Sequence, residues 1–256
     1  MPSSPALPRL TFPLLAVLVT VVALGAFPAR AGTVLKWHET RHEDGKKVQT
    51  ASIATSGPLG LRVEMTDIGV GTSGHTTFLY LASTRTLYMK QAAAQEWVTI
   101  TAPLVESLRK RAITHIPEKK ELPVTVSSLG TRHTYGGFAC ESWILRQKER
   151  PSRIVCLADP ASIQIDETVR KQFQEMSRLM IGFMAAAEAA SGLPASTDEG
   201  IRYNTYDMPQ GFPVKVWESR AGQTWMDTEL VSVSAADPPA DLFEPPAPPQ
   251  AAVKGK

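Results

Sequence analysis

Five groups of residues in this chain have the types and spacing to do chemistry. The most pointed is His38-Glu39-Thr40-Arg41-His42, which fits H-E-x-x-H letter for letter. On a helix, that pattern sets two imidazoles on one face to hold zinc while the glutamate activates water. Its surroundings argue for a strand instead. Asp44-Gly45 stands where a catalytic helix would continue, and only the N-terminal apolar run precedes it. In a strand, positions four apart lie roughly 13 Å apart, too far for one ion. A zinc hydrolase using His38, Glu39 and His42 is therefore a remote alternative. On the strand reading these residues are exposed and polar, so Glu39→Gln should change nothing measurable.

Gly69-Val70-Gly71-Thr72-Ser73-Gly74 fits G-x-G-x-x-G after a strand-like stretch. The dinucleotide fingerprint needs a helix to open there, so that its amides hold pyrophosphate. His75-Thr76-Thr77-Phe78-Leu79-Tyr80 follows, which is β-branched and aromatic, so the segment reads as an interstrand loop. Arg109-Lys110-Arg111 resembles an anion patch but also suits the C-terminal end of a short helix, where positive charge favours the dipole. No G-x-S-x-G elbow occurs. No cofactor is expected.

Cys140 and Cys156 are the only cysteines. Their meaning depends on the compartment, which the N-terminus indicates. Arg9 precedes an apolar run from Leu10 to Phe27, and Ala29-Arg30-Ala31 fits an A-x-A cleavage site. That order is a secretory signal peptide. An uncleaved anchor is the rival, since about 20 apolar residues suffice to cross a bilayer, but Pro13 and the small-residue site oppose it. No cysteine lies near the site to take a lipid. The expectation is a periplasmic or secreted protein beginning at Gly32, with no transmembrane span once the leader is gone. Arg9 and Arg30 leave with the leader, so 27 basic residues become 25 against 25 acidic. A neutral chain lacks the basic footprint of a nucleic-acid binder. About 225 residues remain, enough for one substantial core.

Outside the cytoplasm a thiol pair oxidises. FACESWIL and SRIVCLA read as two strands joined by a turn at Lys148-Glu149-Arg150-Pro151. A Cys140–Cys156 bond across this hairpin contributes about 3 kcal/mol in the chain-entropy model. It requires that the register put both sulfurs on one face.

The elements that must position these groups are mostly strands. Strands are read either side of Asp44-Gly45 and in GLRVEMTDI, TTFLYLAS, TRTLYMKQ and EWVTITAP; in GLRVEMTDI, Leu61, Val63 and Met65 alternate with Arg62, Glu64 and Thr66. A short helix over PLVESLRKRA follows. ELPVTVSSLGTRHTYGG returns to strand and leads into the cysteine hairpin. A long helix is expected from about Pro160 to Ser191, capped by Asp159. Val169, Phe173, Met176, Met180, Phe183 and Ala187 make one apolar stripe on it. Strands follow at GIRYNTYD, FPVKVWESR and TWMDTELVSVSA. The chain then turns proline-rich, with Leu242-Phe243 a candidate anchor. The fold class is α+β: a mostly antiparallel curved sheet of about ten strands with one long and one short helix packed on it. Residues 1–31 form the leader, 32–236 a single β-rich domain and 237–256 a flexible proline-rich tail.

The order of segments resembles a bacterial family known only as domain of unknown function 4412. The pattern from Val34 to Asp67, through Thr76 to Lys90 and on to the start of the short helix, is similar to the family's opening. Gly136-Gly137-Phe138-Ala139-Cys140 is similar to its Gly-Tyr-x-Cys strand, with Phe138 in place of Tyr. Gly211-Phe212-Pro213-Val214-Lys215-Val216 and Leu242-Phe243-Glu244-Pro245-Pro246 are similar to its closing elements. The resemblance implies a secreted or periplasmic protein whose sheet is similar to the half-barrels of LolA- and LolB-type lipoprotein carriers. It carries over no catalytic residue.

The expected role is a non-enzymatic module binding a hydrophobic ligand, lipid or partner peptide between sheet and helix. Met176, Met180 and Met184, with Phe173 and Phe183 beside them, form a face that reads first as core packed on the sheet, as apolar helix faces usually are, although methionine faces also adapt to varied apolar shapes. Trp143, Phe173, Met176, Met180, Phe183 and Trp217 are the candidate ligand-binding residues. An envelope assembly factor, acting through its tail or a sheet edge on an envelope protein, is the alternative.

Overall fold

A computed structural model describes residues 32–43, 46–68, 74–91, 94, 96–113, 123–147, 152–191, 203–220 and 223–247. The leader and its cleavage site, the Asp44-Gly45 turn, residues 69–73 of the glycine loop and Pro117 lie outside the described residues. So do the Lys148–Pro151 turn, the helix stop at Gly192 and Pro194, the centre of the Arg220–Gln223 turn, and the tail beyond 247.

Among the described residues, eleven strands form one antiparallel sheet. They are β1 (Gly32–Glu43), β2 (Lys46–Gly57), β3 (Gly60–Ile68), β4 (His75–Leu81), β5 (Thr86–Gln91), β6 (Val98–Ile100), β7 (Thr125–Tyr135), β8 (Phe138–Arg146), β9 (Arg153–Ala158), β10 (Phe212–Arg220) and β11 (Gln223–Ala236). Their order is β6-β5-β4-β3-β2-β1-β11-β10-β9-β8-β7, so two meanders meet where β1 pairs with β11. Helix α1 (Ala102–Ile113) follows β6 at one edge of the sheet, and β7 forms the other edge. Helix α2 (Glu167–Ser191) is inserted between the neighbouring strands β9 and β10. This is the α+β architecture expected, but the strand read at GIRYNTYD is not formed: Tyr203 and Asn204 belong to no strand and Thr205–Asp207 is a 3₁₀ turn.

The sheet is open but curls at its β7 edge. Gly136, at the tip of the β7–β8 hairpin, has φ +56° and comes so close to β11 that a Cβ there would lie 2.2 Å from the Leu230 carbonyl oxygen. Only glycine combines that dihedral with that approach.

Directly opposed strand residues share a face, as do positions two apart. The register therefore resolves the α2 side of β1–β6 into rows. Thr33, Ser56, Leu61, Tyr80, Leu87 and Ile100 form the first, all buried. Leu35, Ala54, Val63, Phe78 and Met89 form the second, in which Phe78 and Met89 are half-buried. Trp37, Ser52 and Met65 form the third. On the reverse face Leu79 and Leu81 pack with Phe243, from a 3₁₀ turn at Ala240–Phe243. The sheet is thus covered on both sides here, and Phe243 is the anchor foreseen at the start of the tail.

Cys140 and Cys156 form a disulfide between β8 and β9, with Cα atoms 5.4 Å apart. Ser142, not Cys140, directly opposes Cys156, so the bond runs diagonally on one face.

The long helix starts later than its sequence suggests. Asp159 accepts a hydrogen bond from the Ser162 amide at 3.2 Å, but this caps a turn. Gln164 takes φ +60°, which no helix continues, and so swings Ile163 and Ile165 into the core. The cap of α2 is Asp166, whose Oδ1 accepts from the Val169 amide at 2.9 Å.

Candidate functional site

The side of the sheet beneath α2 changes character from row to row. α2 is fastened to the buried first row: Gln172 accepts from Ser56 Oγ at 2.6 Å and donates to the Gly57 carbonyl at 2.8 Å, and the Tyr80 hydroxyl donates to Glu175. Burial and that carboxylate hold the Tyr80 phenol well above its usual range. Phe173 fills the ground between helix and sheet. It meets Trp37 edge-on at 5.5 Å and Phe212 at 5.7 Å, and stacks on Tyr206 at 4.9 Å.

A strap from Tyr203 to Gly211 is laced to the same half of α2. Gln174 donates to the Tyr206 carbonyl, Asn204 to the Gln174 carbonyl, Arg170 to the Met208 carbonyl, and Arg178 makes two bonds to Asp207. Arg153 ties the strap to β9 by donating to the Tyr203 carbonyl at 3.1 Å while it pairs with buried Glu218.

Met176, Met180 and Phe183 lie along the partly buried margin of the main core, as do Met65 and Phe78 from the sheet. Trp217 joins that margin from β10, with Tyr135 edge-on at 5.2 Å and the Lys215 ammonium 5.6 Å from its ring. Lys215 is itself bound to Asp227 and Glu229 at 2.6 and 2.7 Å. Burial alone would lower the ammonium's pKa, yet those two carboxylates raise it. Five of the six candidate residues therefore share one core cluster. Trp143 does not: it opposes Val155, in a second cluster with Leu145 and Leu157, and neighbouring positions place it on the face opposite Trp217.

Beyond the third row the surface turns polar. Thr228, Glu39, Thr50 and Asp67 stand side by side across β11, β1, β2 and β3. Thr228 donates to Glu39 at 3.2 Å, Thr50 donates to Asp67 at 2.8 Å, and Arg41 pairs with Glu39 at 2.8 Å. This bears out the strand reading of H-E-x-x-H and corrects one part of it. The three residues lie on a strand, and Glu39 points to the inner face while His38 and His42 point outward, so they do not converge on one ion. Glu39 is also no idle surface group. Its side chain is 18% exposed. The signal for it was present: Glu39 and Arg41 continue the odd-numbered alternation of Leu35 and Trp37.

Burial raises the pKa of the Glu39 carboxyl, against the lowering influence of Arg41 and Thr228, while Glu218 and Asp67 add to the rise. A carboxyl raised in the folded state is penalised when ionised, so folding gains stability as pH falls from neutrality through the folded value towards the ordinary 4.5. Gln cannot titrate. The melting temperature of the native chain should therefore climb relative to that of Glu39→Gln between pH 7 and pH 5. A relative decline would show that Arg41 outweighs burial.

Among the described residues no group of three or more His, Cys, Asp and Glu could hold a metal ion, and no helix is long and apolar enough to cross a membrane.

The model of a family described as domain of unknown function (DUF4412) matches residues 38–248. No curated protein matches. Among solved structures, the Pseudomonas aeruginosa MucA/MucB complex matches at 9% identity and TM-score 0.36, over 84% of this chain and 56% of that one. PNGF-II matches at 9% identity and TM-score 0.37, over 83% and 30%. A DUF1329 family protein from Desulfovibrio piger matches at 7% identity and TM-score 0.32, over 91% and 98%. The chain spans little more than half the length of the MucB chain it matches.

Proposed function

Since the chain belongs to the DUF4412 family, we propose that it is a non-enzymatic binding module acting outside the cytoplasm, a reading supported by the leader-like order of its N-terminal sequence and by the disulfide. It holds the apolar chain of a lipid or a partner peptide between α2 and the inner face of the sheet. One observation carries this reading. Next to a fully buried row, Met65, Phe78, Met89, Met176, Met180 and Phe183 remain half-buried, from sheet and helix alike. Flexible thioethers and aromatic rings at such a margin re-pack around a guest at low cost, and a concave apolar surface is where ligands are taken.

The test uses the secreted chain and N-phenyl-1-naphthylamine, a dye that brightens on entering apolar surroundings. Saturable binding is expected, weakened about tenfold or more by Met180→Asp, as a charge set in an apolar site predicts. Met184→Asp, at a position already 49% exposed, serves as the control and should leave binding unchanged. Organic extraction and mass spectrometry of the purified protein should release a stoichiometric lipid or peptide. Absence of saturable binding in the native chain, with nothing released on extraction, would sink the proposal.

A further inference from the structure

Gly32, the first residue after the A-x-A site, is also the first residue of β1. It is buried and pairs with Ala236, the last residue of β11. Thr33 opposes Ser56 across β1 and β2, so the next pair outward is Gly32 with Gly57. Neither has a side chain, and the segment that leaves β11 lies over both. A Cβ on Gly32 would come within 2.8 Å of the Pro238 ring, and one on Gly57 within 2.9 Å of the Phe243 ring. Phe243 is 4% exposed. Its 3₁₀ turn is closed by two backbone hydrogen bonds, from the Leu242 amide to the Pro239 carbonyl and from the Glu244 amide to the Asp241 carbonyl. Residues 237–247 thus form a clasp over the N-terminal end of β1, at the seam where the two meanders meet. The clasp contains three acids, Asp237, Asp241 and Glu244, and no Lys, Arg or His.

We infer that this clasp receives the α-ammonium group that leader cleavage creates on Gly32, with Asp237 as its ion-pair partner. The antiparallel register, continued one step past Gly32 and Ala236, sets position 31 opposite Asp237. Hydrolysis of the Ala31–Gly32 peptide bond by a leader peptidase consumes one water. It leaves a carboxylate on Ala31 of the released leader and turns the neutral amide of residue 32 into a cation. That cation stands about one strand spacing, roughly 5 Å, from Asp237. The elements around it bring no competing positive charge among the described residues. The β2–β3 turn, residues 57–60, is uncharged, β11 ends in Ala235-Ala236, and Arg62 on β3 is paired with Glu64 at 2.8 Å. Asp241 and Glu244 add to the attraction. Processing therefore does more than free the protein: it tightens the seam between its two chain ends. The inference rests on the leader reading and is independent of any guest between sheet and helix.

The intact mass of the exported protein should place its first residue at Gly32. An ammonium paired with a carboxylate titrates above the ordinary range of about 7.7–8.0, so the pair is complete below that range and is lost as pH rises through the folded value. A 13C-methyl label on the Gly32 nitrogen should accordingly titrate at higher pH in the native chain than in Asp237→Asn. Hydrogen exchange at the Leu242 and Glu244 amides reads the clasp itself. At pH 7, Asp237→Asn and Nα-acetylation of Gly32 should each speed both amides about two- to fivefold, as loss of an exposed ion pair predicts. The two changes together should do no more than either alone. A first residue other than Gly32, an α-amine that titrates alike in both chains, or Asp237→Asn acting as strongly on the acetylated chain, overturns the inference. Dye uptake reports on neither the amine nor the clasp, so either proposal can fail while the other stands.

Discussion

Phe173→Ala should lower the unfolding free energy by about 3–5 kcal/mol, the range for deleting a buried ring. The ring is 2% exposed and has three aromatic partners from three separate elements: Trp37 on β1, Tyr206 in the strap and Phe212 on β10. Backbone this well fastened collapses little into the void, which places the cost towards the upper end of the range. Against a domain stability of about 5–15 kcal/mol this is a third or more of the total. Urea titration followed by tryptophan fluorescence reads it directly, since Trp37 lies edge-on to the deleted ring. A loss below about 1 kcal/mol would mean that α2 is docked by its polar ties and not by Phe173.

Arg153→Met should cost a comparable 3–5 kcal/mol for a different reason: it strands a charge. The Glu218 side chain is 3% exposed and pairs with Arg153 across β9 and β10. Once the guanidinium is gone, Glu218 must stay ionised without a partner or take up a proton, and either costs free energy. Following this with Glu218→Leu should recover most of the loss, because two apolar groups of similar size no longer leave a buried ion alone. About 1 kcal/mol should remain unrecovered, since the Tyr203 carbonyl loses the Arg153 donor in both variants. A double variant no more stable than Arg153→Met would show that the guanidinium acts on the strap alone.

How much was legible in the sequence depended on periodicity. Strand β3 could be read because Leu61, Val63 and Met65 alternate with Arg62 and Glu64, and a period of two admits few other structures. The four-three steps from Val169 to Phe183 gave the helix in the same way. Its start was misjudged because Asp159-Pro160 is a sound opening signal locally. What cancels it is Gln164 at positive φ, a strain repaid by burying Ile163 and Ile165, and no local pattern reports that.

The candidate site was legible in part. Phe173, Met176, Met180 and Phe183 follow from one stripe. Trp143 and Trp217 were grouped by residue type, whereas parity separates them: Trp143 stands three residues from Cys140, hence on the other face from the disulfide. Glu39 was hidden behind a motif. Attention to H-E-x-x-H as text obscured the simpler fact that Glu39 falls in phase with Trp37. The diagonal register of the disulfide was out of reach, since the length of a hairpin connection does not fix which residues oppose.

Tyr80 and Leu87 face α2, whereas Leu79 and Leu81 face Phe243. The segment ending at Ala247 is therefore seated behind the sheet, with the helical layer in front. Whatever is moored to the chain after that point, whether a bead, a dye or another protein, starts from the rear. Immobilising the molecule by its C-terminus therefore leaves the helical side turned outward.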